Sequence, residues 1–182
     1  MLTGENVISN VIRTVPLFQG LSDKGIKDLA TACTMLQLQP EETVFTEGDR
    51  AQEVFIVVQG QVRLTCETAD GPDVVVGYVD EGGIIGEMGV IDPAPRSATA
   101  RSSQEAVVLR LPGEAFGAFI GEGHEVAAVL LTAIRGNMTQ RIRILNERIG
   151  ALFLMDSAEG GGQTLSMGER LRGIWAAMRT GG

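Results

Sequence analysis

Between Val44 and Leu111 the apolar residues come in short runs, each bounded by turn residues, and a chain written this way folds as strands. The runs are Val44 to Thr46, Val54 to Val58, Val62 to Cys66, Val74 to Val79 and Val107 to Leu111. Between them stand Glu47-Gly48-Asp49, Gln59-Gly60-Gln61, Asp70-Gly71-Pro72, Asp80 to Gly83 and Asp92 to Pro95. Glycine, proline and aspartate in such clusters reverse the chain. Many short strands at this spacing suggest a sandwich or jelly-roll barrel.

Helical periodicity brackets the strands. Val7, Ile8, Val11, Ile12 and Val15 share one helix face, and Ile26, Leu29, Ala30 and Cys33 repeat the pattern within Ser22 to Met35, with Ser22 as N-cap and Gly20 as the break. A long helix follows the Gly121-Glu122-Gly123 break. The expected class is α+β, mainly β: a jelly-roll (double-stranded β-helix) barrel over residues 40–111, N-terminal helices within 5–35 and a long C-terminal helix over about 125–152. One domain, 1–152, is followed by a flexible linker at 153–165, rich in glycine from Gly160 to Gly162, and by a short tail helix at 166–180. Ser166 and Glu169 form a capping box for that tail, and Leu171, Ile174, Trp175 and Met178 line its apolar face.

Composition excludes several classes. No apolar run approaches the roughly 20 residues that cross a bilayer, and no basic stretch with an apolar core opens the chain, so the expected setting is the cytoplasm, off the membrane. A formal net charge of -8 argues against direct nucleic-acid binding, which needs clustered Lys and Arg to neutralise phosphates. Cys33 and Cys66 lie far apart and read as core packing. His124, the sole histidine, sits in a Gly-Glu-Gly-His turn and reads as exposed; neither a metal cluster nor a phosphate-binding G-x-x-x-x-G-K-[ST] loop can be assembled. No metal, no cofactor and no enzyme activity are expected.

The chemistry is concentrated in Ile84 to Ala100. Gly86 and Gly89 let backbone approach a ligand closely, and the helical turn after Gly86 offers unpaired N–H groups that suit an anion. Arg96 adds a planar fork of donors matched to phosphate oxygens. The carboxylate of Glu87 fits beside an anion if it accepts a hydrogen bond from a hydroxyl, which a ribose 2'-OH supplies. One negative charge and a nearby 2'-OH describe a 3',5'-cyclic nucleotide. Taken singly, Glu87 is an ordinary first-turn acid favoured by the helix dipole and Arg96 an exposed arginine after a Pro95 turn; only jointly, within a strand-rich setting, do they favour the nucleotide.

This segment resembles the phosphate-binding cassette of the cyclic nucleotide-binding domain family, shared by bacterial catabolite activator proteins, cAMP-dependent kinase regulatory subunits and cyclic nucleotide-gated channels. Glu47-Gly48-Asp49, Val54 to Val58, Gln59-Gly60 and Val62-Arg63-Leu64 are similar to the family's early barrel, and the likeness runs from about Pro16 to Leu152. The resemblance implies that Glu87 holds the ribose and that Arg96 pairs with the cyclic phosphate, in an Arg96-Ser97-Ala98 motif. Ser97 donates to a phosphate oxygen, and the N–H groups of Met88, Gly89 and Ser97 complete the set. Serine rather than threonine at position 97 favours cAMP over cGMP. The base is expected against Leu64, Val74 and Val76. Asn146 falls where the family's activators place a polar base contact, although they carry a hydroxyl where Leu145 stands; Trp175 either caps the base or anchors a partner, unless the tail helix simply packs on the protein's own surface.

Met138, Ile142, Leu145, Ile149 and Leu152 are spaced four, three, four, three, the seam of a two-stranded coiled coil, so a homodimer through 138–152 is expected. Family activators place a DNA-binding domain after this helix, and with about thirty residues beyond Leu152 none is expected here. The expected function is a cytoplasmic cAMP sensor that signals to a separate effector protein by movement of its C-terminal helices. The alternatives are a nucleotide-independent interaction module with the same fold, or a fragment of a larger transcriptional regulator.

Overall fold

A computed structural model describes the backbone of residues 4–68 and 71–159, and side chains for 6–68, 71–147 and 149–150. It forms two units, residues 1–138 and 139–182. Helix α1 (Gly4–Thr14), a 3-10 turn (Pro16–Phe18) and α2 (Asp23–Ala32) open the first unit. Eight strands follow: β1 (Thr34–Leu38), β2 (Thr43–Phe45), β3 (Glu53–Gln59), β4 (Val62–Cys66), β5 (Val74–Val79), β6 (Ile84–Ile85), β7 (Thr99–Ser102) and β8 (Ala106–Pro112). A four-residue helix, α3 (Met88–Ile91), separates β6 from β7, and α4 (Gly113–Gly121) and α5 (Glu125–Glu159) close the described chain.

The strands make two four-stranded antiparallel sheets, ordered β1-β8-β3-β6 and β2-β7-β4-β5, the jelly roll expected from the sequence. Strand β3 shows why Val54 to Val58 is continuously apolar. Val54, Ile56 and Val58 face the helices, while Phe55 and Val57 face the barrel interior. Alternate residues of a strand point to opposite sides, so a strand covered on both faces has no polar face to spare. On its outer side this sheet carries Ile12, Phe18, Leu29, Phe116, Val126 and Leu130. Truncating a side chain as buried as Phe116, 1% exposed, costs about 3–5 kcal/mol.

The second helix ends earlier than its periodicity predicts. Residues 34–38 are strand, paired with β8 from Thr34↔Arg110 to Leu38↔Ala106, so the barrel begins before residue 40. Leu36 and Leu38 turn inward and Met35 turns to the helices, an alternation that also fits a helical face when read over five residues. Ser22 does cap α2, accepting from Gly25 N at 3.1 Å. Its own N–H donates to Glu125 Oε2 at 3.0 Å, and its hydroxyl donates to Glu125 Oε1, tying the starts of α2 and α5.

Two further expectations are corrected. His124 is only 14% exposed: its Nε2 meets Asp28 Oδ2 at 3.1 Å and its Nδ1 accepts from Val126 N at 3.2 Å, an arrangement suited to the tautomer protonated on Nε2. Phe119 packs against the ring, with centroids 4.9 Å apart and planes tilted by 37°. The long helix passes Leu152 and runs through Glu159, because Met155 to Glu159 holds neither glycine nor proline and nothing there opposes helix. The rest of the expected linker and the 166–180 helix with Trp175 lie outside the described residues. No single described helix is long and apolar enough to cross a membrane.

Candidate nucleotide-binding site

Strand β6 gives way to Gly86, where φ is +77°, a left-handed conformation that a Cβ disfavours. A Cβ here would also fall on Arg96 Nη1, and one on Gly89 would fall on Ala51 and Ala94. Both glycines therefore make room for the protein's own chain, a role distinct from the close ligand approach expected of them. Glu87 follows with helical dihedrals and is 1% exposed; its carbonyl accepts from Val90 N and Ile91 N at 3.1 and 3.0 Å. The amides of Met88 and Gly89 open α3 and have no partner within that helix.

The loop then returns Arg96 to the same place. Arg96 N donates to Asp49 O at 2.8 Å and Gly48 N donates to Arg96 O at 2.9 Å, so the Glu47-Gly48-Asp49 turn is the anchor of the arginine. The Asp49 carboxylate holds that turn by accepting from Thr46 N at 3.0 Å. The Arg96 side chain, 3% exposed, donates through Nη1 to Gly86 O at 2.6 Å and through Nη2 to Glu53 O at 2.9 Å. Glu53 Oε2 lies 3.8 Å from Nη2, and the guanidinium carbon stands 4.2 Å from the centroid of Phe45. Arg96 Nε is buried with no hydrogen-bond partner. Burial pushes the guanidinium pKa down, opposed by the charges of Glu53, Asp49 and Glu87. The net result is a buried cation with one nitrogen, Nε, that has no partner.

The sequence pattern of the cyclic nucleotide-binding domain matches residues 35–122, from β1 to the end of α4. The N-terminal domain of a transcriptional regulator from Streptomyces coelicolor A3(2) is 30% identical, covering 76% of this chain and 94% of that one, with a TM-score of 0.56. The chain belongs to the cyclic nucleotide-binding domain family. The CRP-like cAMP-activated global transcriptional regulator of Mycobacterium tuberculosis is 25% identical over 138 residues, 73% of this chain. This chain spans 60% of that curated relative's length. The regulatory domain of Toxoplasma gondii PKA, solved with cAMP, is 25% identical, covering 63% of this chain and 43% of that one, with a TM-score of 0.53.

Within the cyclic nucleotide-binding domain the other expected contacts are unevenly placed. Ser97 is exposed, with its hydroxyl 3.8 Å from Met88 Sδ, and Ala98 packs partly buried on the barrel core. Leu64 is buried in that core and Val76 lies against it. Val74 is 52% exposed at the end of β5, outside the core cluster. The register of β5 on β4 slips between Leu64↔Gly77 and Thr65↔Val75, which skips Val76 and sets Val74 opposite Cys66. Asn146 is exposed on α5, and Trp175 lies outside the described residues. Cys66, read as core, is only half-buried and donates from Sγ to Ser97 O at 3.3 Å.

Phe45 and Glu53 are the site residues that sequence reasoning missed. Both were visible only as the apolar end of one strand and the acidic start of another, and nothing local ties either to Arg96. A groove of about 960 Å³ runs along the outer flank of the same loop, lined by Gly89, Val90 and Pro93 to Pro95 and by residues of 48–53 and 110–114; Glu87, Arg96 and Ser97 do not line it.

Proposed function

We propose that this protein is a cyclic nucleotide sensor that takes cAMP in preference to cGMP. The observation that carries the reading is the buried Arg96, whose Nε–H has no acceptor of its own, beside the buried Glu87 carboxylate. A buried donor without a partner costs about 1–3 kcal/mol, more for a charged group, which an entering anion relieves. Arg96 meets the cyclic phosphate, Glu87 the ribose 2'-OH, Ser97 and the amides of Met88 and Gly89 the remaining phosphate oxygens, and Leu64 and Val76 the base. The cAMP named for the Mycobacterium tuberculosis regulator and for the Toxoplasma gondii structure supports this choice of ligand.

Ligand binding draws α3 and its loop inward and shifts α5 about the Glu122 to His124 break, provided the nucleotide favours one arrangement over the other. Output passes to a second copy of the chain through the Ile142, Leu145 and Ile149 face and to a separate effector protein. Calorimetry with cAMP and cGMP tests the reading. Micromolar or tighter binding is expected, weakened roughly 10- to 100-fold in Arg96→Ala by loss of a charge-assisted hydrogen bond. The absence of heat and of any melting shift with both nucleotides would instead favour a nucleotide-independent interaction module, a reading supported by the two carbonyls and three acids already gathered around Arg96.

A further inference from the structure

Two hydrogen bonds, an ion pair with Glu53 and an aromatic contact hold the Arg96 side chain. Gly86 O and Glu53 O fix Nη1 and Nη2 within the guanidinium plane. The aromatic contact falls on Cζ, which lies 4.2 Å from the centroid of Phe45 and 5.8 Å from that of Phe55, and the two rings are 5.7 Å apart with 34° between their planes. A cation this close to an aromatic ring is drawn to its negatively polarised face, more strongly when water is excluded, as it is around a side chain 3% exposed. With Cζ against the Phe45 ring and each Nη atom holding one carbonyl, Nε is the guanidinium nitrogen left without a partner. An aliphatic side chain of equal size would fill the space but would not attract the charge.

We infer that Phe45 is the positioning residue for Arg96: its ring orients the guanidinium so that the unpartnered Nε–H is presented to the single negative charge of a phosphodiester. This rests on the cyclic-nucleotide reading of the site for the identity of the anion, but not for the orientation of the arginine.

The test compares Phe45→Leu, which keeps apolar bulk without a π face, with Phe45→Tyr, which keeps the ring. Calorimetry with cAMP is expected to show a roughly 3- to 30-fold weaker affinity for Phe45→Leu and an affinity within about twofold of the parent for Phe45→Tyr. NMR of the ligand-free, ¹⁵N-labelled full chain reads the arginine directly: loss of the ring moves the Arg96 Nε–H resonance in Phe45→Leu, and Phe45→Tyr leaves it near its original position. Should Phe45→Leu not fold, Phe45→Met takes its place in both measurements. Equal loss of affinity in the leucine and tyrosine variants, or an Arg96 resonance indifferent to the ring, overturns the inference. If the parent protein binds neither cAMP nor cGMP while the resonance still follows the ring, the nucleotide reading falls and the positioning of Arg96 by Phe45 stands.

Discussion

Arg96 bonds the carbonyl of Gly86 at 2.6 Å, across a loop that leaves the barrel and returns to it, and the space its Nη1 fills is where a Cβ on residue 86 would lie. One residue therefore carries two demands, a positive φ and the absence of a side chain. In Gly86→Ala, left-handed backbone for a non-glycine residue costs about 1–2 kcal/mol, and Arg96 must also move. The expected result is a lower melting temperature together with a loss of cAMP affinity approaching that of Arg96→Ala. A variant with unchanged melting and unchanged affinity contradicts this geometry.

The link between Ser22 and Glu125 makes stability depend on pH in the acid range. The Ser22 hydroxyl and then its N–H donate to the Glu125 carboxylate and hold its pKa below the ordinary glutamate value. Because the folded pKa is depressed, the unfolded chain takes up this proton first as pH falls. The contribution is complete above the ordinary glutamate pKa and is lost as pH drops through the folded value. Glu125→Gln is expected to be less stable than the parent at neutral pH and to lose less on acidification, seen as a smaller separation of the two melting curves at low pH. Parallel pH profiles for the two proteins would remove the link as a cause.

The cysteines differ in environment. Burial pushes the Cys33 thiol up to about 12, so almost none of it is thiolate near pH 8. Cys66 is raised as well, by burial first and then by Glu47 and Asp73, but it is half-buried. Since the thiolate is the reactive form, native protein titrated with a chromogenic disulfide at pH 8 is expected to release one equivalent slowly, from Cys66. The second equivalent should appear only on unfolding. Prompt reaction of both thiols in the native state would contradict the burial of Cys33.

Ile142, Leu145 and Ile149 are 58%, 44% and 47% exposed on one side of α5. If that side joins two copies of the chain, Leu145→Glu places a charge in an apolar seam and yields a monomer by light scattering at concentrations where the parent is a dimer. A parent protein that is monomeric at every practical concentration rules out the seam.

Strands whose two faces differ, or that are apolar throughout, announced themselves: Val62 to Cys66 and Val74 to Val79 were located to the residue. The strand at Thr34–Leu38 did not, because over five residues its apolar positions suit helix and strand alike, and pairing with β8 decides between them. The closeness of Glu87 to Arg96, both buried, was legible because both lie in one short segment with glycines and prolines to shape it. The environment of His124 was not, since a Gly-Glu-Gly-His turn carries no sign of Asp28 or Phe119, which reach it from other helices.

Local chemistry was thus written in the order of residues: strand or helix period, turn, cap, and the glycine- and proline-shaped segment with its arginine. Only the closed barrel decided that Glu53, 43 positions upstream, accepts from that arginine and that Phe45 lies beneath it. The reason is physical. Periodicity and turn chemistry act between neighbours along the chain, whereas the partner of a buried charge is set by which strands pair and in what register, and residue type alone does not encode that choice.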